Sequence, residues 1–339
     1  MALNGTTGKV VWSFQTVHHD VWDYDLPAQP SLITLERDGK PVDVVAQVTK
    51  TGFMFVLERD TGKPFFGVEE KPVPQSAEHG ELLSPTQPFP IKPPALVPQH
   101  LTRDDVGGFA LIDGYLCKQA FDQFRSEGLF TPPSKQGTVL YPFTGGGANW
   151  GGMAFDPTRK IAVVNMSRAV HVITLFKSDE YKDMRKVFHD TEVSPQHGAE
   201  YGMKRDLMLS IFGAPCNKPP WGELIGVDLN TGDIAWRQTL GTTEGLIGVP
   251  LKWGTPNFGG PLTTASGLIF IGAAMDDYLR AFDTETGEEL WKGDIPAGGQ
   301  ATPMSYEWQG RQYVLIAAGG HARSGTTLGD HIVAFALPD

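Results

Sequence analysis

Leu3-Asn4-Gly5-Thr6-Thr7-Gly8-Lys9-Val10-Val11-Trp12 is the stretch that decides the fold, because its pattern returns three more times without gaps. The copies are Leu57-Glu58-Arg59-Asp60-Thr61-Gly62-Lys63-Pro64-Phe65-Phe66, Val227-Asp228-Leu229-Asn230-Thr231-Gly232-Asp233-Ile234-Ala235-Trp236 and Phe282-Asp283-Thr284-Glu285-Thr286-Gly287-Glu288-Glu289-Leu290-Trp291. Each reads apolar, polar or acidic, two variable residues, Thr-Gly, three residues, aromatic. The physical content is strand, tight turn, strand. Glycine supplies the positive φ, the short acidic or amide side chain bonds turn amides, and the aromatic caps the returning strand.

The turn glycines are separated by 54, 170 and 55 residues, so the middle gap is about three periods and holds degenerate copies or an insertion. A period near 55 residues with several short strands suits the four-stranded blade of a β-propeller. Val42–Val48 and Phe53–Glu58 read as strands around one turn, as do Leu268–Gly272 and Tyr278–Phe282. The reading is all-β, with about four to five blades. The first repeat opens at a closing strand just after Met1, which leads us to expect part of a ring. A Pro-rich insertion is expected at about 71–135, with a short amphipathic helix at Leu116–Glu127. A second irregular stretch is expected at about 177–218, with a helix over Glu180–Val187. The whole of 1–339 then reads as one propeller domain.

Composition agrees. With 40 Gly and 26 Pro among 339 residues, about a fifth of the chain is turn-forming, which excludes a helical bundle. A net charge of −11 argues against nucleic acid as the main partner, since phosphate binding needs clustered Lys and Arg. No apolar run approaches the ~18 residues of a membrane helix, and no basic-then-apolar leader is visible at the N-terminus. The two cysteines, Cys117 and Cys216, exclude a zinc ribbon, and their pairing is left open. Gly5-Thr6-Thr7-Gly8-Lys9 lacks the spacing of a phosphate loop.

The segment His18-His19-Asp20-Val21-Trp22-Asp23-Tyr24-Asp25-Leu26-Pro27-Ala28-Gln29-Pro30 resembles the signature around the catalytic Asp of quinoprotein alcohol and sugar dehydrogenases. The Thr-Gly…Trp repeat is similar to their tryptophan-docking motif. Lys50-Thr51-Gly52, Gly128-Leu129-Phe130-Thr131-Pro132-Pro133-Ser134, Trp150-Gly151-Gly152, Gly298-Gly299-Gln300-Ala301-Thr302-Pro303-Met304 and Ala317-Ala318-Gly319-Gly320-His321 resemble the membrane-type glucose/quinate/shikimate branch. The resemblance covers essentially the whole chain, up to a final strand at Ile332–Leu337. It implies an eight-bladed ring, of which this would be the C-terminal portion, and a pyrroloquinoline quinone (PQQ) cofactor with Ca²⁺ or Mg²⁺.

Oxidising an alcohol means removing a hydroxyl proton and passing a hydride to an acceptor that no side chain provides. The resemblance makes Asp23 the base and a metal ligand, Lys50 the cation on the quinone oxygens, and Asn165, after a strand Ile161–Val164, a cofactor contact. It places Gly320 and His321 at the cofactor pocket or substrate mouth, with Trp150, Phe258, Gly260 and Asp276 as weaker candidates. Taken alone, each has a plainer reading: Asp23 and Asn165 as strand-end turn formers, Lys50 as a solvated turn residue, His321 as a structural histidine. Asp20 or Asp25 is expected to bond turn amides. His18 and His19, read as adjacent strand residues, would point apart and share no ion.

The implied function is PQQ-dependent oxidation of a sugar, polyol or cyclic hydroxy acid, with electrons passed to ubiquinone or a cytochrome. The implied setting is the periplasm, with the full-length protein anchored to the inner membrane. The alternatives are a non-catalytic propeller scaffold and an inactive fragment of such an enzyme. Asp23, Lys50 and Asn165 together favour the enzyme, because a scaffold has no need of all three.

Overall fold

The computed structural model describes residues 1–108 and 111–338, apart from the side chain of Leu111. Five antiparallel sheets follow one another as propeller blades. Blade 1 contributes Ala2–Leu3 and Val10–Trp12. Blade 2 contains Ser31–Arg37, Lys40–Val48 and Met54–Glu58, with Pro64 bridging to Leu57. Blade 3 is Met153–Asp156, Ile161–Ser167, Gly222–Asp228 and Asp233–Thr239. Blade 4 is Leu262–Thr263, Leu268–Ile271, Tyr278–Asp283 and Glu289–Asp294. Blade 5 is Met304–Trp308, Arg311–Ala318 and His331–Phe335.

The period-2 geometry of a strand explains the unbroken apolar run Ile161-Ala162-Val163-Val164. Ala162, Val164 and Met166 pack on Val44, Ala46 and Val56 of blade 2. The alternate residues Ile161 and Val163 pack on Ile269 and Ile271 of blade 4. Both faces of blade 3 are therefore buried, and alternation is invisible because there is no wet face.

The repeated turns stitch the blades together. The Trp12 indole donates to the Arg59 carbonyl at 2.8 Å and lies where a Cβ on Gly62 would sit. Phe66 stands against Gly232. The Trp236 indole donates to the Thr284 carbonyl at 2.9 Å and covers Gly287. Each aromatic docks on the turn glycine of the next blade, which needs both the positive φ and the missing side chain. Phe66 reaching Gly232 also resolves the 170-residue gap: the turns at Gly62 and Gly232 belong to adjacent blades, with insertions and, among the described residues, no further blade between them.

The insertions build a structure of their own beside blades 2 and 3. Thr138–Leu140, His171–Lys177, Tyr201–Leu207 and Glu192–Ser194 form a four-stranded side sheet. Val68–Pro72 pairs with Thr86–Pro90 as a hairpin. Cys117 and Cys216 are disulfide-bonded, Cα to Cα 5.5 Å, tying the first insertion to the second.

Some boundaries differ from expectation. Helix α1 covers Leu111–Phe121 instead of Leu116–Glu127. It stops at Phe121 because Arg125 pairs with Gly137 and Val139 of the side sheet, which takes over its backbone bonds. Helix α2 is Tyr181–Val187, after a single 3₁₀ turn at Ser178–Glu180. The last strand is His331–Phe335.

Candidate active site

The loop joining blade 1 to blade 2 carries the site. Asp20 accepts hydrogen bonds from the amides of Trp22 and Tyr24, both at 2.8 Å, which folds the loop into a tight turn. The buried Trp22 indole donates to the Thr131 carbonyl at 2.8 Å, and the buried Tyr24 hydroxyl donates to the Pro142 carbonyl at 2.9 Å. Two aromatic anchors thus pin the residues on either side of Asp23. Between them Asp23 is held at φ +67°, a left-handed conformation that aspartate tolerates better than most non-glycine residues. Its carboxylate is 57% exposed and faces a cleft of about 590 Å³.

Lys50 enters from the turn that ends Lys40–Val48. Its side chain is only 9% exposed, packed beneath Gly146, whose Cβ would lie 2.5 Å from Lys50. The Lys50 ammonium donates to the Asp23 carbonyl at 2.9 Å, lies 3.5 Å from the Asp23 carboxylate, and pairs closely with Asp25. Asp25 is therefore a charge partner of Lys50, and of the two aspartates it is Asp20 that accepts from the turn amides.

Arg205, on the side sheet, approaches Asp23 from the opposite side at 3.7 Å. Its fork is held by Glu192 at 2.6 and 2.7 Å and by the Thr144 hydroxyl at 2.8 Å. Thr144 in turn donates to His171 Nδ1 at 2.9 Å, its own amide directed at the same nitrogen, so Nδ1 is the acceptor and Nε2 carries the proton. Burial, seconded by Arg205, pushes the His171 imidazole down to about 3. Burial likewise raises the Asp23 carboxyl above its ordinary value; Asp25 adds to the rise, while Lys50 and Arg205 oppose it. A carboxylate with raised basicity, exposed on one side and fixed on the other, is suited to take a proton from a bound hydroxyl.

Other expected residues lie further off. Asn165 sits inside its strand, which runs to Ser167 because Asn165 and Met166 keep their ladder partners Leu224 and Glu223. It is buried and donates to Asn257 at 2.7 Å and to the Gly259 carbonyl at 3.2 Å, between blades 3 and 4. The strand-end alternative for it is overturned. The His321 ring lies 5.4 Å from Phe258 and 5.5 Å from Trp150, with Nδ1 2.7 Å from Ser324 Oγ. Gly320 adopts φ +70° with no room for a Cβ against the Thr327 carbonyl. Among the described residues this aromatic group joins the Asp23 region through Phe258–Phe143 and Phe143–His171 ring contacts, and the Gly146-Gly147 segment that leads to Trp150 packs on Lys50. Asp276 is held in a buried bidentate pair with Arg280 at 2.6 and 2.8 Å, and Gly260 closes against Gly151. His18 and His19 lie in a bend, not a strand, yet still diverge: His18 meets Glu70 at 2.9 Å and His19 meets Glu81 at 3.0 Å.

Arg205, Thr144, His171 and Glu192 escape sequence reading. They lie in segments with no repeat and reach Asp23 only through side-sheet pairing.

The donor set fits an ortho-quinone such as PQQ, since a buried ammonium beneath a glycine stands beside a half-exposed carboxylate. For a divalent cation the fit is partial. Asp23 offers carboxylate oxygen, but no three His, Cys, Asp or Glu side chains gather to hold an ion among the described residues.

A family model for the PQQ-type glucose/ethanol/alcohol dehydrogenase β-propeller domain matches residues 1–314. The chain is 44% identical to quinoprotein glucose dehydrogenase of Escherichia coli (strain K12), over 100% of this chain and 44% of that protein. It is 41% identical to a probable quinate dehydrogenase (quinone) of Xanthomonas campestris pv. juglandis, over 100% of this chain and 45% of that one. The crystal structure of quinohemoprotein alcohol dehydrogenase from Comamonas testosteroni superposes with a TM-score of 0.59 at 23% identity, over 98% of this chain and 41% of that one. The chain thus spans less than half the length of the curated relatives it matches.

Proposed function

The chain belongs to the PQQ-type glucose/ethanol/alcohol dehydrogenase β-propeller family, and from that premise we propose that it forms the Asp23-bearing part of an enzyme oxidising a sugar, polyol or cyclic hydroxy acid. The observation that carries the reading is the Asp23–Lys50 pair: a base turned toward a cleft, with a buried cation beside it.

Asp23 takes the proton from the substrate hydroxyl. Its anchors, Trp22 and Tyr24, fix where that oxygen must lie. Lys50 and Arg205 hold the carboxylate from two sides, so it meets the substrate without reorganising. PQQ, when bound, supplies the two-electron acceptor that protein side chains lack. Lys50 would hold it by its quinone oxygens and Asp23 would contribute oxygen to a Ca²⁺ or Mg²⁺ ion; the family resemblance adds Asn165, Gly320 and His321 as cofactor contacts, and these stand outside the cleft at Asp23. The Cys117–Cys216 bond supports an oxidising compartment such as the periplasm. Ubiquinone or a cytochrome is the acceptor that this reading requires; among the described residues no helix is long and apolar enough to cross a membrane.

The test is dye reduction by purified protein supplied with PQQ and Ca²⁺ or Mg²⁺, using glucose, quinate and inositol as donors. Turnover that falls by about 10²–10⁴-fold in Asp23→Asn, the range of a general base, supports the reading. Turnover unchanged by that substitution contradicts it.

A further inference from the structure

The charge of the cleft at Asp23 bears on which alcohol it admits. Five carboxylates line it, from Asp20, Asp23, Glu78, Glu81 and Glu200, against one guanidinium, Arg205. That guanidinium is already committed to Glu192 and Thr144. The lysines nearest the rim are committed as well: Lys177 pairs closely with Glu200, and Lys135 lies 3.5 Å from Glu78. Both also sit over the Tyr201 ring, at 4.8 and 5.0 Å. Of the two histidines, His19 meets Glu81 and His79 stands in the field of Glu200. A carboxylated substrate would find carboxylates around it and, among the described residues lining the cleft, no side-chain cation free to pair with it, and burying a charge without a partner is costly. A neutral polyol would find acceptors for its hydroxyls and an apolar floor from Leu140, Ile173 and Met203.

Resting on the dehydrogenase reading above, we propose that this cleft selects uncharged polyhydroxy alcohols of the sugar type and rejects hydroxy acids. Like charge acts on both the encounter and the bound state, so the discrimination is electrostatic and salt-sensitive.

The experiment compares quinate with its methyl ester, which keeps the ring and removes the charge. On the full chain with PQQ and Ca²⁺, kcat/KM for the ester is expected to exceed that for quinate at least tenfold at low ionic strength. The gap should shrink toward 1 M salt, and Glu81→Gln with Glu200→Gln should narrow it from the quinate side. Equal use of the two, or a preference indifferent to salt, overturns the inference. Equilibrium dialysis of both compounds against the chain gives a readout independent of turnover. Tighter ester binding without oxidation of any donor would sink the dehydrogenase reading and leave the selectivity standing; binding of neither, or of quinate as tightly as the ester, sinks the selectivity.

Discussion

Asp23 owes its character to its immediate neighbours. Burial raises its affinity for a proton, and Lys50 and Arg205 pull the other way. A base works only when deprotonated, so the rate should fall on acidification, with its midpoint above the ordinary aspartate value of about 3.9. Replacing Lys50 by Met removes the larger opposing charge and should move that midpoint further up; Arg205→Met should move it in the same direction by less. Kinetic pH profiles of the three proteins check the order. His171 gives a separate signature in stability. It stays neutral in the fold down to about pH 3, whereas in the unfolded chain it takes up a proton near 6.5. Stability should therefore be fully present above pH 6.5 and decline below it, at up to about 1.4 kcal/mol per pH unit. Urea melts at pH 7 and pH 5 should differ by about 2 kcal/mol more for the native chain than for His171→Phe.

The docking turn is the element that repeats, and its energetics can be tested at one joint. Trp236 is buried, hydrogen-bonded across to blade 4 and laid on Gly287 at φ +71°. Trp236→Ala should cost about 3–5 kcal/mol in denaturant unfolding, and Gly287→Val should be comparably damaging because it adds strain to the clash. The same element explains what sequence reading captured. A turn that must be glycine, followed by an aromatic that in three of the four copies covers the next blade's glycine, leaves a repeated pattern; in the fourth, Trp291 stands on Gly293 and Phe335. Strands buried on both faces left only apolar runs, so their ends slipped, as at Asn165, whose ladder bond to Leu224 nothing local announces. The pairing of Asp23 with Lys50 was legible because both sit in short linear motifs. Their support from Arg205 and Thr144 was not, since it comes from segments about 120 and 180 residues away in the chain.

Across the molecule, blades supply the frame and insertions supply the wall of the cleft. The side sheet and the Pro-rich hairpin bring Glu78, Glu81, Glu200 and Arg205 around Asp23, and the disulfide ties the two insertions over a separation of 99 residues. Loop-closure entropy makes that bond worth about 2–4 kcal/mol. Cys117→Ser with Cys216→Ser should lower stability by that amount and loosen the cleft, raising KM for the alcohol more than it lowers kcat. The measurement that bears most directly on the central claim is a titration of the purified chain with PQQ in the presence of Ca²⁺ or Mg²⁺, followed by cofactor absorbance, for the native protein and Lys50→Met. Metal-dependent binding that weakens at least tenfold in Lys50→Met is the predicted result. Binding indifferent to Lys50 would contradict the assignment of this pair as the cofactor site.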